Sequence, residues 1–418
     1  MYWPRLSTQQ VKKTIFDALA KNQNYRSEKI LGIPATFLDT DVFYEDAPFL
    51  KQAPFLSVLI ANPNHIGCHT LPGEKEPIFK GTQEIEKDLI RICAEEIFGA
   101  ERDSCDGYVA SGGTEANIEA LWIYRNYFRK EKNASHEDIR LIYSADSHYS
   151  FPKAADLLGI RSLVIAVDEE SRAIELKDLR AQITQAKKEG ARYFIVGMNL
   201  GTTMFGSVDD IDAVTDLLQE QKVEFKLHVD GAYGGFMFPF TSEKSSFTFK
   251  NPHISSFTID GHKLLQAPYG TGIFLVRKNL IGYVCTDQAS YVAGKDYTLV
   301  GSRSGANAAC VWMILHMHGS KGWTMKMEQL LDKTTSLCAE LDELGVEYFR
   351  HPQFNIVTIK SKFIEPALAQ AYTLVPDNHE DPKWYKIVVM PHVRQGVLDN
   401  FVSALAAANT KKEFERKK

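Results

Sequence analysis

Residues 257–272 read FTIDGHKLLQAPYGTG. An apolar run of β-type residues stops at Asp260, and Lys263 follows between a histidine and two leucines, with glycines on either side. Taken alone, Lys263 reads as a solvated loop lysine or as the cation at a helix end. The chain upstream argues against both, because an apolar run ending in a polar group recurs there several times.

From residue 105, short β-type runs (YVAS, RLIYSA, SLVIAV, YFIVGMNL, KLHVDGA, SFTID, GIFLVRK) alternate with helical stretches such as EANIEALWIYRNYFR and DIDAVTDLLQEQ. Strands alternating with helices predict βαβ units in a mostly parallel sheet covered on both faces. This block ends near 285. A long helix is expected over 305–342, then strands in EYFRHPQFNIVTIKS and WYKIVVMPHV, and a last helix in QGVLDNFVSALAAANT. Upstream, helical periodicity is read over 8–22 and in TQEIEKDLIRICAEEIFG, with irregular sequence rich in Pro, Asn and aromatics over 23–80. The division expected is 1–70 as an N-terminal segment, 71–310 as the large domain and 311–418 as a small α+β domain.

In open α/β sheets, ligands bind beyond the C-terminal ends of the strands. Five strand ends here carry chemistry. YVA runs into Ser111, Gly112 and Gly113, with Thr114 as the expected N-cap of a helix. Backbone N–H groups at such a turn make a phosphate cradle, or the turn is only a tight βα connection with a good cap and no ligand; neither GxxxxGK[ST] nor GxGxxG is present. His148 follows the second run, where an imidazole stacks on a flat ligand or merely bonds the backbone. In NLGTTMFGSVDDI, Thr202 or Thr203 offers a hydroxyl, and Asp209 and Asp210 read as helix caps. Asp230 ends KLHVD, where a carboxylate is costly unless paired, and Gly231 and Ala232 leave room for something flat. Lys263 is the fifth. A phosphate, a protonated aromatic nitrogen and an aldehyde would engage every one of these groups, which is the chemistry of pyridoxal 5′-phosphate.

The stretches SGGTEAN, SHYSFPKAA, NLGTTMFGSVDDI, HVDGAYGG and TIDGHKLLQAPYGTG together resemble the group II pyridoxal-phosphate-dependent amino-acid decarboxylases, over about residues 60–400. GHK, GSRSGANAACVW and IVVMPHV resemble the histidine and serine decarboxylase branch. The resemblance implies the aspartate-aminotransferase-like fold type I, with a mostly parallel seven-stranded sheet in the large domain. It implies Lys263 as the Schiff-base lysine, His148 stacked on the ring, Asp230 on the ring nitrogen and Ala232 on the other face. It further implies Thr203 near the ring substituents, and Gly112, Gly113, Thr114 and His262 around the phosphate. Tyr291 is the implied lid acid, with Tyr297 as its competitor. Arg303 either binds a carboxylate or forms a structural ion pair, and His65 is a candidate for the substrate side chain. A two-fold homodimer is implied, with residues 1–70 as an arm against the partner.

The rest of the sequence bounds this reading. A net charge of −5 argues against nucleic acid or an anionic membrane as partner. No apolar run is long enough to span a bilayer and no secretory leader is read at the N-terminus. The six cysteines (Cys68, Cys93, Cys105, Cys285, Cys310, Cys338) are scattered, so a reducing compartment, the cytoplasm, is expected and neither a disulfide framework nor a metal site is. The short C-terminal part favours a small polar, acidic or imidazole substrate. The alternatives are a carbon–carbon lyase or aldehyde synthase on the same scaffold, a desulfurase using Cys310, and a non-catalytic relative.

Overall fold

The structure is a computed structural model that describes Lys29, Leu31, Asp41 and residues 80–242, 246–286 and 295–416. Of the expected arm, therefore, only three residues are described; His65 and Tyr291 lie outside the described residues. No described helix is long and apolar enough to cross a membrane.

The seven expected strands form one sheet: β1 Cys105–Ala110, β2 Ile139–Ser144, β3 Arg161–Ile165, β4 Tyr193–Asn199, β5 Glu224–Asp230, β6 Ile254–Asp260 and β7 Gly272–Arg277, in the order β1-β7-β6-β5-β4-β2-β3. β3, β2, β4, β5 and β6 run parallel, whereas β7 is antiparallel to both of its neighbours. The reversal follows from loop length. A parallel crossover needs a dozen or more residues, and the connection 261–271 folds back on itself, with Gly261 N–H donating to the Thr271 carbonyl at 2.8 Å. Lys263 therefore sits on a hairpin between two central strands.

β1, β2, β4, β6 and β7 are almost wholly buried, as the near-continuous apolar runs require. Helix α1 (Lys80–Arg91), α2 (Gly113–Lys132) and α3 (Ser150–Leu158) seat the first strand ends. Phe151 fills the space over Gly197, where an added Cβ would fall 2.2 Å from the ring, so the start of α3 and the preceding His148 are held tight to β4. Thr114 is not the N-cap of α2. Gly112 takes that position, and the Glu115 carboxylate accepts the Ser111 N–H at 2.7 Å in place of a capping hydroxyl. Asp210 caps the helix Ile211–Glu220 by accepting from the Ala213 N–H. Asp209 is instead buried and braces the end of β4 through the Asn199 N–H and side-chain amide.

The long helix runs over Gly305–Glu343 with a break at Gly319 (φ 60°, ψ 176°), so residue 310 lies within continuous helix. Beyond it a four-stranded antiparallel sheet, in the order β10-β11-β9-β8, is built from β8 Tyr348–Phe349, β9 Ile356–Lys360, β10 Val375–Pro376 and β11 Trp384–Val388. The last helix, Gln395–Arg416, follows it.

Candidate active site

A cleft of about 540 Å³ opens at the C-terminal ends of the parallel strands, lined by Gly112, Gly113, Thr114, His148, Thr203, Asp230, Ala232, His262 and Lys263 among others. Every described residue that the sequence singled out for the cofactor is therefore in one place.

The cradle is made by close approach. An added Cβ on Gly272 would fall 2.6 Å from the backbone of Gly112, and one on Gly113 would fall 3.1 Å from both Ala232 Cβ and Asp260 Oδ2. Side chains are thus crowded out at Gly113 and Gly272, and the N-terminus of α2 is bare toward the cleft. Backbone N–H groups and the helix dipole there favour an anion.

Asp230 is buried, with both oxygens engaged: Oδ2 accepts from Asn117 Nδ2 at 2.7 Å and Oδ1 from the Ala232 N–H at 3.0 Å. His148 is partly buried, its Nδ1 2.9 Å from Ser150 Oγ and 3.2 Å from the Ser150 N–H. Burial pushes His148 below the ordinary imidazole range, against the pull of the Asp230 carboxylate, so the ring is neutral near pH 7. Burial lowers His262 likewise, and its ring stacks on Tyr269 with centroids 4.8 Å apart. Lys263 Nζ lies 3.1 Å from Asp260 Oδ2.

Two groups at the cleft were missed in the sequence. Asp260 ends an apolar strand just as Asp230 does, and that is the signal by which it could have been read. Lys386 interrupts the apolar run WYKIVV on β11 of the small lobe. It is 4% exposed, and its Nζ donates to the Thr203 carbonyl at 3.0 Å. Burial, then the nearby Lys263, pulls its pKa down to about 8. Lys386 lines a second cavity of about 720 Å³ that shares His148, Tyr149 and Thr203 with the first and is walled by Phe205, Trp384 and Met204.

Other expectations fail on geometry. Arg303 is not offered to a carboxylate ligand. Its guanidinium is buried against Glu86, with Nη2 3.2 Å from Oε2, and Nη1 donates to the Val109 carbonyl at 3.0 Å. Of the two readings of Arg303, the structural ion pair holds. Breaking such a pair strands a buried charge, at a cost of about 3–5 kcal/mol. Arg303→Met is therefore expected to lower the melting temperature by roughly 5–15 °C with little change in KM. Thermal denaturation followed by circular dichroism checks this, and a raised KM at unchanged melting temperature would return Arg303 to the substrate. Tyr297 is buried in the core on the α2 side of the sheet. Cys310 is buried too, its thiol pushed up to about 12, which leaves no reactive thiolate for desulfuration.

The donor set fits pyridoxal phosphate. An anion cradle, a flat slot between His148 and Ala232, a carboxylate with both oxygens aimed by hydrogen bonds, and an amine on a hairpin converge on one cleft. The model of the pyridoxal-dependent decarboxylase conserved domain matches residues 16–359. A tryptophan decarboxylase of Clostridium sporogenes is 46% identical over 409 residues, 98% of each chain. An L-aspartate decarboxylase of Thermococcus kodakarensis is 33% identical over 96% of each. The crystal structure of L-methionine decarboxylase from Streptomyces sp. 590 superposes with a TM-score of 0.77 at 21% identity, over 96% of this chain and 95% of that one, and shares the fold.

Proposed function

The chain belongs to the pyridoxal-dependent decarboxylase family, its reaction is the pyridoxal-phosphate-dependent decarboxylation of an amino acid, and we propose that the substrate is an aromatic L-amino acid, tryptophan before the others. The observation that carries this is the second cavity. Trp384, half-buried, meets the buried Phe205 edge to face with centroids 5.7 Å apart and gives this cavity an aromatic surface, with the Arg172 guanidinium 4.0 Å over the Phe205 ring and Asp146, Lys360 and Lys386 on the same lining. A planar side chain stacks on such an aromatic surface, a contact worth about 0.5–1.5 kcal/mol. The tryptophan decarboxylase relative supports the choice. It differs from the small or polar substrate expected from chain length.

When bound, pyridoxal phosphate supplies an aldehyde for an amine and a ring that takes up the electron pair left when the carboxylate departs. The rest falls to residues of this chain. The turn 111–114 holds the phosphate on backbone N–H groups. Asp230, aimed by Asn117 and Ala232, would hold a proton on the ring nitrogen. His148 and Ala232 clamp the ring faces. Lys263 would hold the aldehyde carbon through its amine, and Asp260, 3.1 Å away, would orient that amine. Tyr291, named from the family resemblance, is the proposed proton donor to Cα.

Lys386 is proposed to meet the substrate carboxylate. A buried lysine titrating near 8 is charged below that pH and neutral above it. KM is therefore expected to rise as pH climbs through about 8, by roughly tenfold per 1.4 kcal/mol of lost attraction, and Lys386→Met is expected to remove the pH step. A pH profile of kcat/KM for both proteins checks it, and an identical step in the variant would assign the titration elsewhere.

The function is tested by supplying tryptophan, tyrosine, phenylalanine, histidine, methionine, aspartate and glutamate singly and measuring carbon dioxide and amine. Tryptophan should lead. Aspartate leading would favour the second reading, an acidic substrate whose side chain meets Lys386; the archaeal L-aspartate decarboxylase relative keeps that reading open. An aldehyde with ammonia and hydrogen peroxide released beside the carbon dioxide, with dioxygen consumed, would mark an aldehyde synthase. We propose also that the enzyme works in the cytoplasm as a homodimer, supported by Leu299 and Val300, which are about two-fifths exposed beside the segment that carries Tyr291. Light scattering should give a mass near twice 47.1 kDa.

A further inference from the structure

We infer that Asn117 is the positioning residue that couples the two groups flanking the cofactor ring: it aims Asp230 at the ring nitrogen and, through Ser150, helps hold the proton of His148 on Nε2. The inference rests on the roles of Asp230 and His148 proposed above, and goes beyond them to the hydrogen-bond order behind the cleft.

The order is forced from one end to the other. Asn117 is 1% exposed and sits one turn into α2. Its Nδ2 reaches both Asp230 Oδ2 at 2.7 Å and Ser150 Oγ at 2.8 Å. The reversed amide would put Oδ1 against a carboxylate, two acceptors face to face, so both N–H bonds are committed to these partners. Oδ1 must then receive a proton, and the group 2.9 Å away is His228 Nε2.

His228 is fully buried, and burial holds its pKa near 4, so the ring carries one proton. That proton is on Nε2. Nδ1 is the acceptor, and Ser256 Oγ, 2.6 Å away, donates to it. Ser256 in turn receives the hydroxyl proton of Tyr124. Thr258 Oγ1, 3.2 Å from His228 Nε2, shares the same N–H as a second acceptor.

The same logic runs outward to the cleft. Ser150 Oγ accepts from Asn117 and so turns its own proton to His148 Nδ1 at 2.9 Å, where the Ser150 N–H also points. With Nδ1 an acceptor, the single proton of neutral His148 is on Nε2, the nitrogen that Ser150 does not engage. Tyr124, Ser256, His228, Asn117, Ser150 and His148 thus donate in one direction, with one branch to Asp230. Aligned chains of this kind strengthen one another. The amide therefore bears on two things that the sequence treats as separate: it aims the acceptor for the ring nitrogen, and through Ser150 Oγ it reinforces the bond by which the Ser150 N–H already holds His148 Nδ1 as an acceptor, so that the imidazole presents a donor to whatever lies in the cleft.

The test uses Asn117→Leu, which keeps the volume and removes both arms, and Ser150→Ala, which cuts only the arm to His148. The readouts are the ring-nitrogen chemical shifts of His148 in histidine-labelled apoprotein, the shift of the ring nitrogen in labelled cofactor bound to the enzyme, and kcat against KM. In the wild type, His148 should be Nε2–H by at least about ten to one, the ratio one hydrogen bond confers. Asn117→Leu should move His148 toward a mixture and the cofactor nitrogen toward its unprotonated shift. It should lower kcat about 10- to 100-fold, as loss of an outer hydrogen-bond partner does elsewhere, with KM within about threefold. Ser150→Ala should move His148 alone.

A folded Asn117→Leu protein with both sets of shifts as in the wild type would overturn the inference and leave Asn117 a core residue. So would a Ser150→Ala protein whose His148 shifts are unchanged, a result that stands even where Asn117→Leu does not fold. Wild-type enzyme that binds no cofactor would sink the reading of Asp230 instead, because the His148 shifts are measured without it.

Discussion

Lys263→Ala is expected to abolish decarboxylation, with a fall in kcat on the order of a thousandfold or more, since the amine is a positioned nucleophile whose effective concentration no free amine matches. The reason lies in the hairpin. Lys263 is held between β6 and β7, two central strands, and its Nζ is fixed 3.1 Å from Asp260. The cofactor should still enter, because the cradle of 111–114 and Asp230 remain, but the visible absorption band of the lysine-bound form should vanish. Absorption spectra of wild type and variant after dialysis against the cofactor, with carbon dioxide release measured in parallel, check both statements. A variant that keeps the band and the activity would mean that the amine comes from elsewhere, and Lys386 would be the first residue to examine.

The second large effect is expected at Asp230. Its two oxygens take hydrogen bonds from Asn117 and Ala232, so the carboxylate is already aimed before any ligand arrives. Asp230→Asn removes the charge and also sets an amide N–H₂ against the Asn117 N–H₂, so the position loses both its sign and its fit. Charge stabilisation by preorganised groups is worth on the order of 10²–10³-fold in rate, and that is the expected loss in kcat, with weaker cofactor binding beside it. Stopped-flow rates at saturating cofactor separate the two. Retention of kcat within about threefold would show that ring-nitrogen protonation does not limit the reaction.

The residues that were legible in the sequence share one property: each is a polar group placed where an apolar strand should end quietly. Asp230 and Lys263 stand out against KLHVD and SFTID, and the glycine pair 112–113 stands out against YVA. Asp260 has the same mark, at the end of SFTID three residues before Lys263. Lys386 and Arg303 are different. What each does depends on a partner far away in sequence: Thr203 lies across the lobe boundary from Lys386, and Glu86 lies on α1 against Arg303. Periodicity carries no information about such pairings. Thr114 shows a local failure. Cap preference favoured its hydroxyl, but Glu115, one residue on, reaches back to the same turn and displaces it. Asn117 was visible inside SGGTEAN, yet nothing in a helix sequence says that its amide meets two other strand ends.

The pairing of β1 with β7 has a bearing on how the enzyme is made. Cys105 lies opposite Arg277, and Ala110 opposite Gly272, so the strand that leads into the phosphate turn has no neighbour until β7 exists. A ribosome adding about 5–20 residues per second needs on the order of 10–30 s to pass from one strand to the other. Through that interval β1 is an apolar edge without a partner, the kind of segment that nascent chains lose to aggregation and that chaperones shield. Cofactor present during synthesis cannot rescue it, because Gly272, the residue that closes against Gly112, is not yet made. The yield of active enzyme in a host should therefore follow the holding capacity of its chaperones more closely than its supply of vitamin.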